Sequence, residues 1–296
     1  MQAILIGLVL AEGSPYGMSF DERLALLAMK PVIDVQVCGH CNLRCAGCMH
    51  FAPLAEVTFL DLDEYENDLT RFSSIEDVSS YFDAIVLMGG EPLLHPQIVE
   101  IIRMTRRHLP KILLALCTNG LLLKRMGEDF WSALIECEVD LTISPYPIHL
   151  DYNALVDFVQ AKGAQARFNQ DITGMCEGRE LFVRLALDPD GGCSPAESFV
   201  ACPFGGHFLQ LSHGAIWPCQ VTAHHEYFSK RFGYDMHDCP EDSLPLERIA
   251  STDDIETFRR KSHPMCRFCD NESLTVMPWE RSMFAEDEWL SPRRAR

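Results

Sequence analysis

The sequence predicts an α/β protein: a partial (β/α)6 TIM-like barrel with a C-terminal β-hairpin extension. Three observations predict it. Short apolar runs alternate with helical stripes from about Val32 to Phe168, and the polar and cysteine-bearing motifs fall at the ends of those runs. After about Gly174 the alternation fades into two short runs joined at a glycine turn. The chain therefore divides into an N-terminal segment (1–30), a barrel core (31–190) and an extension with its tail (191–296).

Ser19, with Glu22 three residues later, forms a capping box for a helix running toward Lys30, and Pro31 stops it. The strands that follow are Val32 to Val37, Ala84 to Met88, Ile112 to Cys117, Asp140 to Ser144 and Ala164 to Phe168, each short and rich in apolar residues. Between them lie three amphipathic stripes: Tyr65, Leu69 and Phe72; Ile98, Ile101, Ile102 and Leu109; and Leu155, Phe158 and Val159, the last closed by Gly163. These stripes read as ordinary core. The alternation implies parallel strands with right-handed crossovers, whose C-terminal ends gather ligands at one mouth.

Residues 1–10 are apolar but lack a basic flank and a small-residue cleavage site, and are far short of the roughly 20 needed to span a bilayer. A buried terminal segment is expected, with no membrane partner. Thirteen cysteines in a chain without export signals point to a reducing compartment, the cytoplasm, where metal and redox roles outrank disulfides. A formal charge of −18 disfavours nucleic acid and suits a neutral or cationic small molecule. The acidic run Glu286 to Glu288 and the basic pair Arg293 and Arg294 read as a solvated C-terminus.

Cys41, Cys45 and Cys48 follow the first strand as Cys-x3-Cys-x2-Cys. Three thiolates can hold three corners of a cubane iron-sulfur cluster and leave one iron open. Counting Cys38 as well, two Cys-x-x-Cys pairs give a four-thiolate zinc alternative, but only three residues separate them, where zinc pairs are spaced by a dozen or more. The second strand ends in Gly89-Gly90-Glu91-Pro92: two glycines let backbone approach a ligand, and a carboxylate can accept from an ammonium group.

From about Val32 to Phe168 this combination resembles the radical S-adenosylmethionine (radical SAM) superfamily. The resemblance implies that Cys41, Cys45 and Cys48 ligate a [4Fe-4S] cluster, that S-adenosylmethionine (SAM) closes its open corner, and that Gly89, Gly90, Glu91 and Pro92 meet the methionyl amino group. It also gives Ser144, at the end of the fourth strand, a ribose contact, with a plain turn before Pro145 as the equal alternative. Asn119 reads as a turn former. One departure stands out: the residue before the third cysteine, usually an aromatic beside the adenine, is Gly47, which shifts that packing to Phe51 or elsewhere.

A second cysteine pattern follows: Cys202, eleven residues, Gly214, four residues, Cys219, then Cys266-x-x-Cys269. Leu209 to Leu211 and Ala215 to Trp217 form a hairpin through Ser212-His213-Gly214 that brings Cys202 and Cys219 together. The pattern resembles the twitch domain, the shortened form of the SPASM extension, and implies one auxiliary [4Fe-4S] cluster; a four-thiolate zinc site is the alternative.

The implied activity is reductive cleavage of SAM to a 5′-deoxyadenosyl radical that abstracts hydrogen from a small-molecule substrate, the electron coming from flavodoxin or ferredoxin. Resemblance to aminoglycoside-type dehydrogenases and epimerases implies oxidation or epimerisation at a carbinol carbon of a sugar, aminoglycoside or cyclitol. A radical SAM peptide (RiPP) maturase is the alternative enzyme, and a noncatalytic zinc or iron-sulfur protein the alternative class. Epimerisation needs a thiol hydrogen donor; Cys176, Cys193 and Cys239, in loop-like surroundings, are the candidates, while Cys117 and Cys137 read as small buried hydrophobes. His40, His50, His207, His213, His224 and His225 read as loop or surface residues or substrate contacts.

Overall fold

The computed structural model describes residues 20–168 and 181–293. The strands are β1 (Val32–Cys38), β2 (Ala84–Gly89), β3 (Leu113–Thr118), β4 (Asp140–Ile143), β5 (Ala166–Phe168), β6 (Leu181–Arg184), β7 (Phe208–Ser212), β8 (Ala215–Trp217), β9 (Leu244–Pro245) and β10 (Thr275–Pro278). The helices are α1 (Phe20–Ala28), α2 (Leu62–Ser73), α3 (Val78–Tyr81), α4 (Ile98–His108), α5 (Glu128–Glu136), α6 (Tyr152–Ala161), α7 (Pro195–Ala201), α8 (Gln220–Phe232) and α9 (Thr252–Arg259). Ser19, the cap expected for the first helix, lies outside the described residues.

Eight strands form one mixed sheet in the order β5-β4-β3-β2-β1-β7-β8-β9. Strands β1 to β5 and β7 run parallel, in keeping with a partial TIM-like fold. Strand β1 is buried along nearly its whole length because it lies between two neighbours and beneath helices, even though Asp34 and Gln36 alternate with Ile33, Val35 and Val37. The hairpin expected at Leu209 to Trp217 does form, and β7 continues the main sheet beside β1 in the register Val32↔Phe208. Strands β6 and β10 make a separate antiparallel pair.

The helices cover the sheet through the stripes read from sequence. Tyr65, Leu69 and Phe72 of α2 and Ile98, Ile101 and Ile102 of α4 are buried against β1, β2 and β3 in one large core. Asp61 and Asp151 accept from the backbone N–H of Glu64 and Ala154, each at 2.9 Å, and cap α2 and α6. A second core gathers Phe51, Phe228, Met265, Phe268, Trp289 and Leu290 from the cysteine loop, α8 and the C-terminal segment. The C-terminus is thus only partly the solvated tail expected: Glu286 and Asp287 are exposed, but Trp289 is fully buried, and Leu187 donates its N–H to Trp289 O and accepts from Ser291 N–H.

Of the two polar residues in β1, Asp34 and Gln36, Asp34 is the more deeply buried. Asp34 is buried, accepting from Gln210 Nε2 at 3.1 Å and Gln220 Nε2 at 2.8 Å, and burial pushes its carboxyl up to about 7 despite those donors. Between an ordinary carboxylate value of about 4 and that value the native chain binds a proton that the unfolded chain releases, so this residue's contribution to stability falls as pH rises through the window. Asp34→Asn is therefore expected to raise stability at pH 8 by on the order of 2 kcal/mol and to leave it unchanged at pH 4. Its new amide can donate to Gln210 Oε1, which is buried without a partner among the described residues. Urea titrations at the two pH values check the sign.

Candidate active site

The parallel strands carry four sequence motifs to one end of the sheet. The Cys41–Cys45–Cys48 loop leaves β1, the Gly89 to Pro92 turn leaves β2, Thr118 to Gly120 leave β3, and Ser144 follows β4. The first two are locked together through backbone: Gly90 N–H donates to Cys38 O at 2.8 Å and Glu91 N–H to His40 O at 3.1 Å. Gly89 has φ +126, and a Cβ there would stand 2.6 Å from Cys38 O; at Gly90 it would stand 1.9 Å from His40 O. The close approach these glycines permit is thus made by the cysteine loop itself.

Glu91 turns inward, contrary to the expectation that its carboxylate is offered to an ammonium group. It is 1% exposed. Oε1 accepts from Thr118 Oγ1 at 2.6 Å and Leu93 N at 3.1 Å, and Oε2 accepts from Asn119 N at 2.9 Å. The side chain ties the end of β2 to the end of β3; burial pushes its carboxyl up to about 7 although all three donors favour the charged form. What this turn can present to a ligand is its backbone.

Asn119 does form the expected turn, accepting from Leu121 N at 3.0 Å through Oδ1. Its Nδ2 donates to Asn42 Oδ1 at 2.8 Å and lies 3.7 Å from Cys41 Sγ, a contact that the turn signal concealed. Ser144 is buried, with its hydroxyl 3.7 Å from Cys117 Sγ.

The three thiols of this loop are surrounded by N–H donors. Leu43 N donates to Cys41 Sγ at 3.3 Å and Trp279 Nε1 to Cys45 Sγ at 3.2 Å, while backbone donors at Ala52, His50 and Phe51 reach Cys48. A neutral thiol is a weak acceptor and a thiolate a strong one, so such donors suit metal-bound sulfur. Without metal, burial pushes the Cys41 thiol upward, with Glu91 and the neighbouring cysteines adding to it. The residues present fit the cluster that the motif implies.

The C-terminal segment closes over this loop. Residues 280–282 pair antiparallel with residues 44–46, through Ala46 N to Glu280 O and Ser282 N to Arg44 O, both 3.0 Å, and Trp289 Nε1 donates to Cys48 O at 3.0 Å. This explains Gly47: its φ is +64, and a Cβ there would stand 3.2 Å from Glu288 O. Phe51 is fully buried against Phe228 and Trp289, so it does not supply the aromatic surface that Gly47 lacks. Trp279 and Tyr146, with ring centroids 6.2 Å apart, stand near Cys45 instead.

Cys202, Cys219, Cys266 and Cys269 form the second group, each near enough to affect the charge of the others. Burial and the neighbouring sulfurs push the Cys266 thiol up to about 12. Backbone N–H groups of Phe204 and Gly205 donate to Cys202 Sγ at 3.5 and 3.2 Å, and Thr222 Oγ1 lies 3.3 Å from Cys219 Sγ. These donors again suit thiolates. Among the described residues no three His, Cys, Asp or Glu side chains converge on a point that would hold a single ion.

The cysteines named as hydrogen donors lie elsewhere. Cys193 lines a cavity of about 340 Å³ with Cys269, Asp188, Glu197 and Asp270, and its thiol is pushed up to about 11 by burial and by Asp188. Cys239 precedes a short helical turn whose Asp242 accepts from Cys239 N and Met265 N, placing it beside the segment that carries Cys266. Cys176 lies outside the described residues. Cys117, expected to be a buried hydrophobe, is the half-buried thiol at the strand ends. Of the six histidines, His50, His207, His224 and His225 are buried, contrary to a surface reading; burial lowers His50 and His207 to about 4 and keeps them neutral. No disulfide forms among the described cysteines, and no helix among the described residues is long and apolar enough to cross a membrane.

The cysteine loop and the glycine turn lie within the stretch that a known family model matches. Residues 35–145 match the Radical SAM superfamily. Curated proteins similar to part of this chain include the GTP 3',8-cyclase of Microcystis aeruginosa, 38% identical over 102 residues, which are 34% of this chain and 31% of that one. The GTP 3',8-cyclase of Nautilia profundicola is 28% identical over 159 residues, 53% of this chain and 46% of that one. The chain thus spans 31% to 46% of the length of these relatives. Among solved structures, BtrN in complex with AdoMet and 2-DOIA aligns over 83% of this chain and 94% of its own, at 17% identity and a TM-score of 0.49. Streptococcus suis SuiB bound to S-adenosylmethionine aligns over 50% of this chain and 37% of its own, at 16% identity and a TM-score of 0.38.

Proposed function

We propose that this chain is a radical SAM enzyme that oxidises or epimerises a carbinol carbon of a small polar substrate, a sugar, aminoglycoside or cyclitol, in a reducing cytoplasm. One observation carries the reading: the three-cysteine loop, ringed by N–H donors, is bonded backbone to backbone with the Gly-Gly-Glu-Pro turn. In this proposal Cys41, Cys45 and Cys48 hold a [4Fe-4S] cluster, the backbone of Gly89 to Glu91 faces the methionyl amino group, and Ser144 faces the ribose. When bound, the cluster and SAM supply one-electron cleavage of the C5′–S bond, giving methionine and a 5′-deoxyadenosyl radical, with flavodoxin or ferredoxin as the electron source.

The chain's own part is to hold the target C–H near that radical and to exclude water. Hydrogen transfer from a carbinol leaves 5′-deoxyadenosine and a substrate radical; loss of one proton and one electron from that radical gives the ketone. Cys202, Cys219, Cys266 and Cys269, in a twitch-type region over 191–296, would hold an auxiliary [4Fe-4S] cluster, which would supply a one-electron acceptor there. For epimerisation a thiol returns a hydrogen atom instead; Cys117 joins Cys176, Cys193 and Cys239 as a donor because it meets Ser144 at the strand ends. The GTP cyclase activity named for the curated relatives makes GTP the second substrate to test, although 43 acidic against 25 basic residues suit a triphosphate poorly.

The test uses anaerobically reconstituted, reduced protein with SAM in deuterium oxide, offered aminocyclitols, aminoglycosides, GTP or a peptide. 5′-Deoxyadenosine with a product two hydrogens lighter is expected for oxidation, and product carrying one deuterium for epimerisation. Turnover confined to GTP or to peptide would transfer the assignment to cyclase or maturase chemistry. Replacing Cys41, Cys45 and Cys48 together by alanine should reduce 5′-deoxyadenosine below detection; if cleavage persists, the assignment is wrong.

A further inference from the structure

Among the described residues two arginines are almost completely buried, Arg23 on α1 at 2% exposure and Arg259 on α9 at 3%. Arg259 has an ordinary counter-ion, Glu256, at 2.5 Å. Arg23 has no carboxylate partner among the described residues. Its Nη1 donates to Cys202 O at 2.7 Å and its Nη2 to Gly205 O. Phe199 lies beneath the guanidinium, 4.0 Å from ring centroid to Cζ, and the nearby His207 is neutral.

A buried guanidinium stays charged and demands a negative partner, which two carbonyls and a ring face meet only in part. Among the described residues the ionisable acidic groups that act on it are thiols. Gly205 marks the geometry: a Cβ on it would stand 3.5 Å from Cys202 Sγ and 3.9 Å from Arg23 Nη2, so thiol and guanidinium flank the same residue. Gly205 also donates its N–H to that sulfur at 3.2 Å while accepting from the guanidinium through its carbonyl. Cys219 and Cys266 lie within electrostatic range of the same cation.

We propose that Arg23 is the counter-ion of the Cys202, Cys219, Cys266 and Cys269 group, fixing a positive charge beside it that favours its reduced, more negative state. The inference rests on the assignment of an iron-sulfur cluster to those four thiols. A group held as neutral thiols would leave Arg23 uncompensated, whereas four thiolates around iron carry net negative charge, and reduction adds one more. Net charge and hydrogen bonds to sulfur are the levers that set the potential of such a centre. Arg23 is a positioning and tuning residue, remote in sequence from every ligand it serves.

The test uses the full chain with Cys41, Cys45 and Cys48 replaced by alanine, so that iron can report only on the second group. Iron per chain and the midpoint of an EPR-monitored redox titration are measured for this parent, for Arg23→Gln and for Arg23→Lys. Gln retains a donor for Cys202 O but no charge; Lys retains both. The parent is expected to bind iron, and Arg23→Gln to shift the midpoint negative so that the reduced-to-oxidised ratio at the parent's midpoint falls about tenfold, about 59 mV for one electron. Arg23→Lys should restore most of it. Equal midpoints in all three, or equal loss of iron from both variants, would overturn the counter-ion role. A parent without iron would instead refute the cluster assignment itself, and the counter-ion role with it.

Discussion

Gly90→Ala is expected to abolish iron binding at the first cysteine loop and to destabilise the chain by about 3–5 kcal/mol, the sum of an overpacked contact and two weakened hydrogen bonds. The Cβ would lie 1.9 Å from the carbonyl oxygen of His40, a backbone atom that no rotamer change can move aside. Retreat of either strand end breaks Gly90 N to Cys38 O and Glu91 N to His40 O, the two bonds that hold the turn against the loop. Gly127, with nothing within 4 Å of its would-be Cβ, is the control: Gly127→Ala should keep both stability and iron. Chemical denaturation and iron analysis after anaerobic reconstitution report the two effects separately. Full iron binding in Gly90→Ala would show that the loop is positioned by something other than this junction.

The barrel half was legible because its signals are local. Each of the five parallel strands was placed within two residues of its observed ends, since a buried parallel strand needs a continuous apolar run and ends where ligand-facing polar residues begin. The place of β7 was not legible. Leu209 to Leu211 reads as one arm of a hairpin whatever it pairs with on its other side, and only the three-dimensional demand of β1 for a second neighbour sets it beside Val32. Glu91 misled for a related reason: a carboxylate in a glycine turn looks ligand-facing in sequence, and its inward aim depends on Thr118 and Asn119, which lie more than twenty-five residues away in the chain.

The C-terminal segment carries the same lesson about range. Trp279 and Trp289 sit among charged residues with no helical or strand periodicity, so the segment reads as solvated, yet each indole N–H reaches the first cysteine loop. Such a contact spans more than two hundred residues of sequence and leaves no periodic trace. Gly47 was its visible half: the missing side chain that looks like a departure from a motif is the space in which the C-terminal backbone lies. Arg23 is the corresponding case for the second cysteine group, an arginine within an amphipathic helix whose purpose is visible only once α1 is packed beside α7.

Removal of the Glu91 carboxylate is expected to have the second largest effect. Glu91→Ala leaves Thr118 Oγ1, Leu93 N and Asn119 N without their acceptor in a site too buried for water to replace it, at about 1–3 kcal/mol for each group that finds no partner. Thr118 can rotate its hydroxyl, so the two backbone N–H groups set the loss, about 3–5 kcal/mol in all. Glu91→Gln keeps one acceptor oxygen but turns an amide N–H2 against either Leu93 or Asn119, and should lose about half as much. If the carboxylate instead served a ligand ammonium directly, both variants would retain stability and fail only in SAM binding. Unfolding free energies of the metal-free variants separate the two cases, because the tie between β2 and β3 is made entirely by the chain's own atoms.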